Sequence, residues 1–465
     1  MSVVSPDGKQ SKDSFYVKRA KIYARATSGR FARLRVLAVL ALLGLYYILP
    51  WIPWDNRQAI LFDLPARKFY VFGWVFWPQD FFFLALLLII AALSLFFFTA
   101  LAGRLWCGYA CPQTVWTETF MWIENWVEGE RNARIKLDRG PWTGTKIRKK
   151  VTKHALWFIF ALWTGFTFVG FFTPITDLAA RLYPFDLGPW ETFWIFFYAF
   201  ATWGNAGFMR EQVCLYMCPY ARFQSAMFDK DTLIISYDTE RGEPRGARKR
   251  GTDLKTSGLG DCVDCTLCVQ VCPTGIDIRN GLQYQCIGCA ACIDVCDEVM
   301  DKMNYPQGLI RYTTEHALLH KQPHVVRPRM MVYGALLLAL TIGLLYAISI
   351  RIPLQLDVIR DRNALYRMTD EGLVENVYTL KLINMDESPH RYALAVSGIP
   401  GLKLSEQVGE ISVDSGEVRV IPVRLSADPQ DLRTASSEIH FDIQASDAPT
   451  LKTTTTGRFL GPASR

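Results

Sequence analysis

Histidine is scarce in this chain, with six in 465 residues, and none lies inside an apolar run; His154 only borders one. Haem held by two histidines across a bilayer is therefore not expected. There is no Walker A phosphate loop and no Gly-x-Gly-x-x-Gly turn, so nucleotide binding has no support. The excess of basic over acidic residues is only +7, too mild over this length for a nucleic-acid binder. Twelve cysteines are too few for a disulfide scaffold. Charge is absent from five stretches, Val36–Ile52, Phe81–Leu101, Ala155–Ile175, Thr192–Phe208 and Met330–Ile350, which hold 97 residues together. These runs exclude a simple soluble globular protein, because about 20 apolar residues cross a ~30 Å hydrocarbon core.

About five transmembrane helices are expected from these runs. The first is short but ends in the aromatic Pro50-Trp51-Ile52-Pro53-Trp54. The fourth is softened by Gly204, Asn205 and Gly207, which leaves a re-entrant or buried helix as its alternative. The N-terminal arm and the 102–154 loop carry nine and ten Lys/Arg, against three and one in the 53–80 and 176–191 loops. Basic loops stay in the cytoplasm. The N-terminus, the 102–154 loop and the 209–329 loop are accordingly expected there, with the 351–465 tail outside. The first apolar run follows 35 polar, basic residues, so no secretory signal peptide is expected. All twelve cysteines fall in the segments assigned to the reducing side, and the tail has none.

Eight of those cysteines form a doubled pattern. Cys262, Cys265, Cys268 and Cys272 are followed by Cys286, Cys289, Cys292 and Cys296, each set spaced C-x2-C-x2-C-x3-C. That run ligates [4Fe–4S] clusters, and its fourth cysteine serves the other cluster. Cys262, Cys265, Cys268 and Cys296 are thus assigned to one cluster, and Cys286, Cys289, Cys292 and Cys272 to its partner. Structural zinc is the alternative, without a reason for the crossing pattern. Asp297 follows the last cysteine where the first run has Pro273.

The other four cysteines form two Cys-x3-Cys-Pro elements, Cys107–Pro112 and Cys214–Pro219, each preceded by an arginine (Arg104, Arg210). Their similarity suggests duplication of a helix pair. Proline suits a first helical position, so Cys111 and Cys218 are expected as N-caps of helices over Gln113–Val127 and Tyr220–Phe228, where a helix N-terminus favours thiolate. Paired soft thiolates suit Cu(I). A further iron–sulfur cluster, a dithiol/disulfide couple and plain packing are the alternatives.

His316, His320 and His324 recur every four residues, but Pro323 interrupts the helix, which favours solvated side chains beside Lys321, Arg327 and Arg329 over a metal site. Trp116, Trp122 and Trp126 read as an interfacial aromatic belt, with a quinone pocket as the alternative. Ser236–Gly258 is charged and turn-rich and reads as a linker. From Leu356 onward the period becomes two. The runs Asn376–Ile383, Val418–Leu425 and Ile439–Ile443, separated by Asp386–Pro389 and Asp414–Gly416, suit an immunoglobulin-like β-sandwich. His390 and His440 stand alone in it.

The order of parts is therefore a basic arm over 1–35, a four-helix membrane region over 36–235 with both Cys-x3-Cys-Pro elements, and a linker over 236–258. A dicluster ferredoxin domain over 259–329, a fifth membrane helix over 330–350 and a β-domain over 351–465 follow. With the Tyr237-Asp-Thr-Glu-Arg-Gly-Glu-Pro-Arg-Gly246 sequence, this order resembles the cytochrome c oxidase accessory proteins of the CcoG family, also called FixG or RdxA. The resemblance implies a protein of the bacterial inner membrane that assembles the cbb-type haem–copper oxidase. It implies reduction of Cu(II) to Cu(I), with copper as substrate at Cys107, Cys111, Cys214 and Cys218. Two [4Fe–4S] clusters fed by a cytoplasmic donor would supply electrons. A copper chaperone or exporter, oxidase assembly factors and a homodimer are the partners that follow. Two other readings stay open: a quinone-linked electron-transfer subunit of a respiratory enzyme, and a non-catalytic assembly scaffold.

Overall fold

The computed structural model describes residues 21–462, apart from 55–56, 184, 251–257, 320–321, 323, 325, 363, 406–408 and 433. Residues 1–20 of the basic arm, and His320, Lys321 and Pro323, thus lie outside the described residues. The chain divides into two compact units, one of Met1–Trp51, Ala91–Gly170 and Ile175–Leu337, the other of Ile52–Ile90, Phe171–Pro174 and Leu338–Arg465.

The first unit is helical around the cysteines. Its first helix, Arg30–Ile48, begins inside the segment expected as a basic arm. The reason is a cap from far along the chain, since the Asp294 carboxylate accepts the backbone N–H of Phe31 at 3.1 Å and of Ala32 at 2.7 Å. Helices Pro112–Glu128 and Pro219–Met227 start with proline at their first position, within a residue of expectation. Helix Gly144–Val169 starts well before the apolar run and stops short of its end, at Gly170. Two lysines of its basic first half, Lys146 and Lys153, are buried, and Lys153 pairs with Glu128 at 2.8 Å and with Glu124 at 3.4 Å. Its apolar half lies against Pro189–Thr202 so closely that a Cβ on Gly165 would sit 2.2 Å from the Ile195 carbonyl oxygen. Small residues permit such backbone approach between membrane helices. Beyond Thr202 the chain continues as a π-helix, Trp203–Met209, at the three residues that soften the run.

Among the described residues, three helical segments are long and apolar enough to cross a membrane: Arg30–Trp51, Pro78–Ala102 and Pro328–Ser349. The two middle runs do not meet that measure. One shares its helix with lysines, and the other has only 14 α-helical residues.

The segment expected as a linker begins as structure. Ile234–Tyr237 is a strand paired antiparallel with Ile310–Thr313, and Tyr237 is buried. Arg241, further along it, pairs with Asp261 and donates to the Gln307 carbonyl at 2.9 Å. Trp116 is packed in the helical unit instead of forming part of a belt. Its Nε1 donates to Thr164 Oγ1 at 3.2 Å, and its ring meets Tyr46.

The second unit is a two-sheet β-sandwich with an added small sheet. One sheet runs Lys403–Leu404, Val418–Ala427, Val374–Asn384, Leu354–Arg360, with Arg367–Met368 beside Val374–Asn384. The other runs Ile411–Val413, His390–Ser397, Ser436–Ala445, Lys452–Leu460. Strict alternation from Val374 to Leu382 sends Tyr378, Leu380 and Leu382 inward against Phe441 and Phe459. The loop before the second long helix, to which the sequence reading gave no structure, forms strands Ile60–Asp63, Lys68–Val71 and Trp74–Phe76. They belong to this unit: Val75 and Trp77 pack with Ile383 and Met385, and Arg351 pairs with Asp80 at 2.5 Å.

Candidate metal centre

The eight ferredoxin-like cysteines gather into two groups, and the groups cross between the two runs. Cys262, Cys265, Cys268 and Cys296 line one small cavity. Cys272, Cys286, Cys289 and Cys292 line a second, with Cys268 between the two. The backbone explains how such short spacings close. The residues on either side of the middle cysteine are left-handed in both runs: Asp264 and Thr266 at φ 54° and 56°, Gly288 and Ala290 at φ 69° and 59°. Consecutive reversals of this kind wrap three sulfurs around one volume, and non-glycine residues rarely adopt them elsewhere. Asp297 also finds its reason. Helix Ala291–Met303 runs on past Cys296, which proline would interrupt, and the Asp297 side chain accepts the Gly308 N–H at 2.9 Å.

Burial pushes Cys286 and Cys292 up, and Cys268, Cys289 and Cys296 up to about 12. Buried neutral thiols with few partners are poised for proton displacement by metal. Two crossing four-sulfur sets fit a pair of [4Fe–4S] clusters.

Cys107, Cys111, Cys214 and Cys218 are also brought together, each thiol close enough to act electrostatically on others of the set. The two elements close alike. The Cys111 N–H donates to the Trp106 carbonyl at 2.9 Å and the Cys218 N–H to the Val213 carbonyl at 2.8 Å, each five residues back. Such π-type turns are uncommon and concentrate at functional sites. Cys111 and Cys218 are the expected N-caps. The expected thiolate does not follow for Cys111. Burial raises its pKa and outweighs the lowering by the Thr114 and Gln113 N–H groups. Burial also pushes Cys107 to about 11 and Cys214 to about 12.

Three side chains that the sequence reading did not single out hold this site. Gln224, wholly buried, donates from Nε2 to Cys107 Sγ at 3.3 Å. Thr114 Oγ1 donates to the Cys107 carbonyl at 2.5 Å. Gln113 Nε2 donates to the carbonyls of Asn205 and Arg210 at 3.0 and 3.1 Å, tying the first element to the approach of the second. The two arginines that looked equivalent differ. Arg210 pairs with buried Glu124 at 2.9 Å, and although burial favours the neutral acid, Arg210, Lys153 and Lys21 hold that carboxyl at about 2. Arg104 donates to the carbonyls of Tyr284 and Cys286, at 2.5 and 2.8 Å, and so grips the second cluster loop.

The thiol site and that loop touch. A Cβ on Gly108 would lie 2.8 Å from the Gly288 carbonyl oxygen, so the first element rests backbone to backbone on Cys286–Cys289. Arg35 and Tyr312 fix the same loop, donating to the carbonyls of Cys289 and Gly288 at 2.7 Å each. A cavity of about 170 Å³ reaches both Cys214 and Cys289 and is lined further by Glu118, Arg210 and Glu211.

Known proteins resemble this chain in sequence. Residues 209–315 match a 4Fe-4S dicluster domain, 84–132 a 4Fe-4S binding domain, and 344–462 the IG-like fold at the C-terminus of FixG. The nitrogen fixation protein FixG of Rhizobium meliloti (strain 1021) is 39% identical over 476 residues, which cover 93% of this chain and 91% of that protein. The chain belongs to the FixG family. Protein RdxB of Cereibacter sphaeroides, another relative, is 43% identical over 417 residues, 87% of each chain. A crystal structure of a FixG-related protein from Vibrio parahaemolyticus is 36% identical and covers 23% of this chain and 95% of its own, with a TM-score of 0.22. The family places iron–sulfur chemistry on the dicluster segment, where the crossing thiols lie, and both Cys-x3-Cys-Pro elements also fall inside matched segments.

Proposed function

We propose that this chain is a membrane-bound electron-transfer protein that reduces Cu(II) to Cu(I) at Cys107, Cys111, Cys214 and Cys218, in support of cbb-type oxidase assembly. The seating of Gly108 on Gly288 carries this reading. It sets the four thiols against the loop of Cys286 and Cys289, so an electron leaves the ferredoxin-like module without crossing a solvent gap. Two [4Fe–4S] clusters, held by Cys262, Cys265, Cys268 and Cys296 and by Cys272, Cys286, Cys289 and Cys292, would supply single electrons, matched to the one-electron Cu(II)/Cu(I) couple, and a cytoplasmic protein donor would replace each electron given up. The four soft sulfurs favour Cu(I) over Cu(II), and Arg104 fixes the loop against the site. Cu(I) then passes to a copper chaperone or exporter.

In this reading the N-terminus and the ferredoxin module are cytoplasmic and the β-sandwich periplasmic, on the bacterial inner membrane. Three spans and five spans give the same sides for those parts, since both counts are odd. The fold supports the five-span version. The Phe62 N–H, in a loop expected outside, donates to the Phe171 carbonyl at 2.7 Å, just past helix Gly144–Val169.

Serine at Cys111 and Cys218 is expected to abolish copper reduction, read with a Cu(I)-specific chelator, while the cluster absorbance stays intact. Loss of that absorbance would instead make these cysteines iron ligands. The match of 84–132 to a 4Fe-4S binding domain favours this second reading, a third cluster on the four thiols. Iron analysis of anaerobic protein separates them, at about eight irons per chain for two clusters against about twelve for three.

A further inference from the structure

The histidine repeat before the last helix is not absorbed by this function. Helix Glu315–Leu318 ends early, so His316 and His324 do not share a helical face. They are nevertheless brought together. One ligand atom each from Asp231, His316 and His324 lies within 4.8 Å of the others. His316 Nδ1 meets Asp231 Oδ1 at 2.8 Å, and the His324 backbone N–H donates to the same oxygen at 3.0 Å, which holds the chain there. The His316 N–H donates to the Lys230 carbonyl at 3.1 Å, so the backbones of His316 and His324 are both tied to Lys230–Asp231. Asp231 and His316 are half-buried and His324 is exposed, which leaves the cluster open to an incoming ion. Neighbouring charges are spoken for: Arg327 pairs with Asp229, and Lys230 with Glu315 at 3.7 Å.

We propose that Asp231, His316 and His324 form a binding site for a first-row divalent cation, with Cu(II) the tightest. Two imidazoles and a carboxylate are borderline N/O donors, suited to Cu(II), Ni(II) or Zn(II), and the Irving–Williams order puts Cu(II) first. This chemistry is complementary to the four thiols, which suit the reduced ion. Bonds of about 2.0 Å at the right angles of a tetragonal Cu(II) site hold neighbouring donors roughly 2.8 Å apart, the separation of His316 Nδ1 and Asp231 Oδ1. A bound cation would therefore take the place of the His316–Asp231 hydrogen bond with little movement of the pair.

The test is a Cu(II) titration of untagged full-length protein with its clusters oxidised, followed by electron paramagnetic resonance. With no electron available from the clusters, Cu(II) on the thiols gives a sulfur-ligated signal of low g-parallel, distinct from that of a nitrogen and oxygen site. The expected result is one tight equivalent with coupling to two nitrogens. His316→Ala should remove one nitrogen and weaken binding about tenfold or more, and Asp231→Asn should weaken it while keeping both nitrogens. His324→Gln, at an exposed position, leaves the fold alone and carries the test by itself if the buried-side variants lose cluster absorbance. An unchanged spectrum and affinity in His324→Gln, or wild-type protein with no nitrogen-coupled equivalent, overturns the proposal and leaves a plain hydrogen-bonded pair. Neither outcome depends on copper reduction.

Discussion

The cysteines are legible from spacing because each motif is local; the residues that connect them are not. Gly108 and Gly288 stand in view inside Cys107–Cys111 and Cys286–Cys289, but nothing in one run announces contact with the other. Gly108 needs glycine because of the tertiary approach, which leaves a Cβ only 2.8 Å from the Gly288 oxygen, and Gly288 because it is left-handed at φ 69° with the Arg104 carbonyl 3.1 Å from its Cβ position. Gly108→Ala is therefore expected to separate the thiol site from the cluster loop while leaving every ligand in place. Copper reduction should slow on the order of ten- to a hundredfold with iron content unchanged, as displacements of an ångström cost in other reactions. Unaltered turnover would show that this seating does not matter for electron passage. Gln224 and Asp294 were likewise hidden, since a polar side chain that caps or contacts across 117 or 263 residues leaves no periodic signal.

Helices and strands were legible where one face repeats over several turns, as in Pro112–Glu128 and Val374–Asn384. Boundaries failed where side chains from elsewhere finish the element, as when Asp294 starts Arg30–Ile48 inside a basic segment. Composition also hid the strands at 60–76, whose short aromatic runs find their partner in the distant β-sandwich. In that sandwich His390, expected to stand alone, ties two turns together. Its ring nitrogens meet Asp386 at 2.8 Å and Asp447 at 2.9 Å. Burial works against its charge, but the two carboxylates outweigh it and raise its pKa, while Asp447 is lowered by His390 in return. The histidine's contribution is complete below its ordinary value of about 6.5 and is lost as pH rises through the higher folded value. The Asp447 contribution is present above its ordinary value near 4 and is lost as pH falls. The β-domain should therefore be most stable near pH 5–6, with a melting temperature that declines between about pH 6 and 8. His390→Gln should flatten that decline, and a wild-type melting temperature that is level over the same range would contradict the assignment.

At the level of the whole molecule, charge counts and contacts agree only in part. The 53–80 loop, poor in lysine and arginine, falls in the same compact unit as the cysteine-free tail, whereas the other such loop, 176–191, falls with all twelve cysteines in the other unit. The sequence could not show that the two sets of thiols are neighbours, because more than 150 residues separate Cys107 from Cys286. That adjacency is the central claim, and a stoichiometric transfer tests it most directly. Protein reduced under argon and freed of excess reductant is mixed with Cu(II), and cluster bleaching and Cu(I) formation are followed together. One Cu(I) formed per electron lost from the clusters, at a rate that collapses in Cys107→Ser and Cys214→Ser although their iron content is normal, is the predicted result. Clusters that stay reduced in the presence of Cu(II), or equal rates in the serine variants, would contradict it.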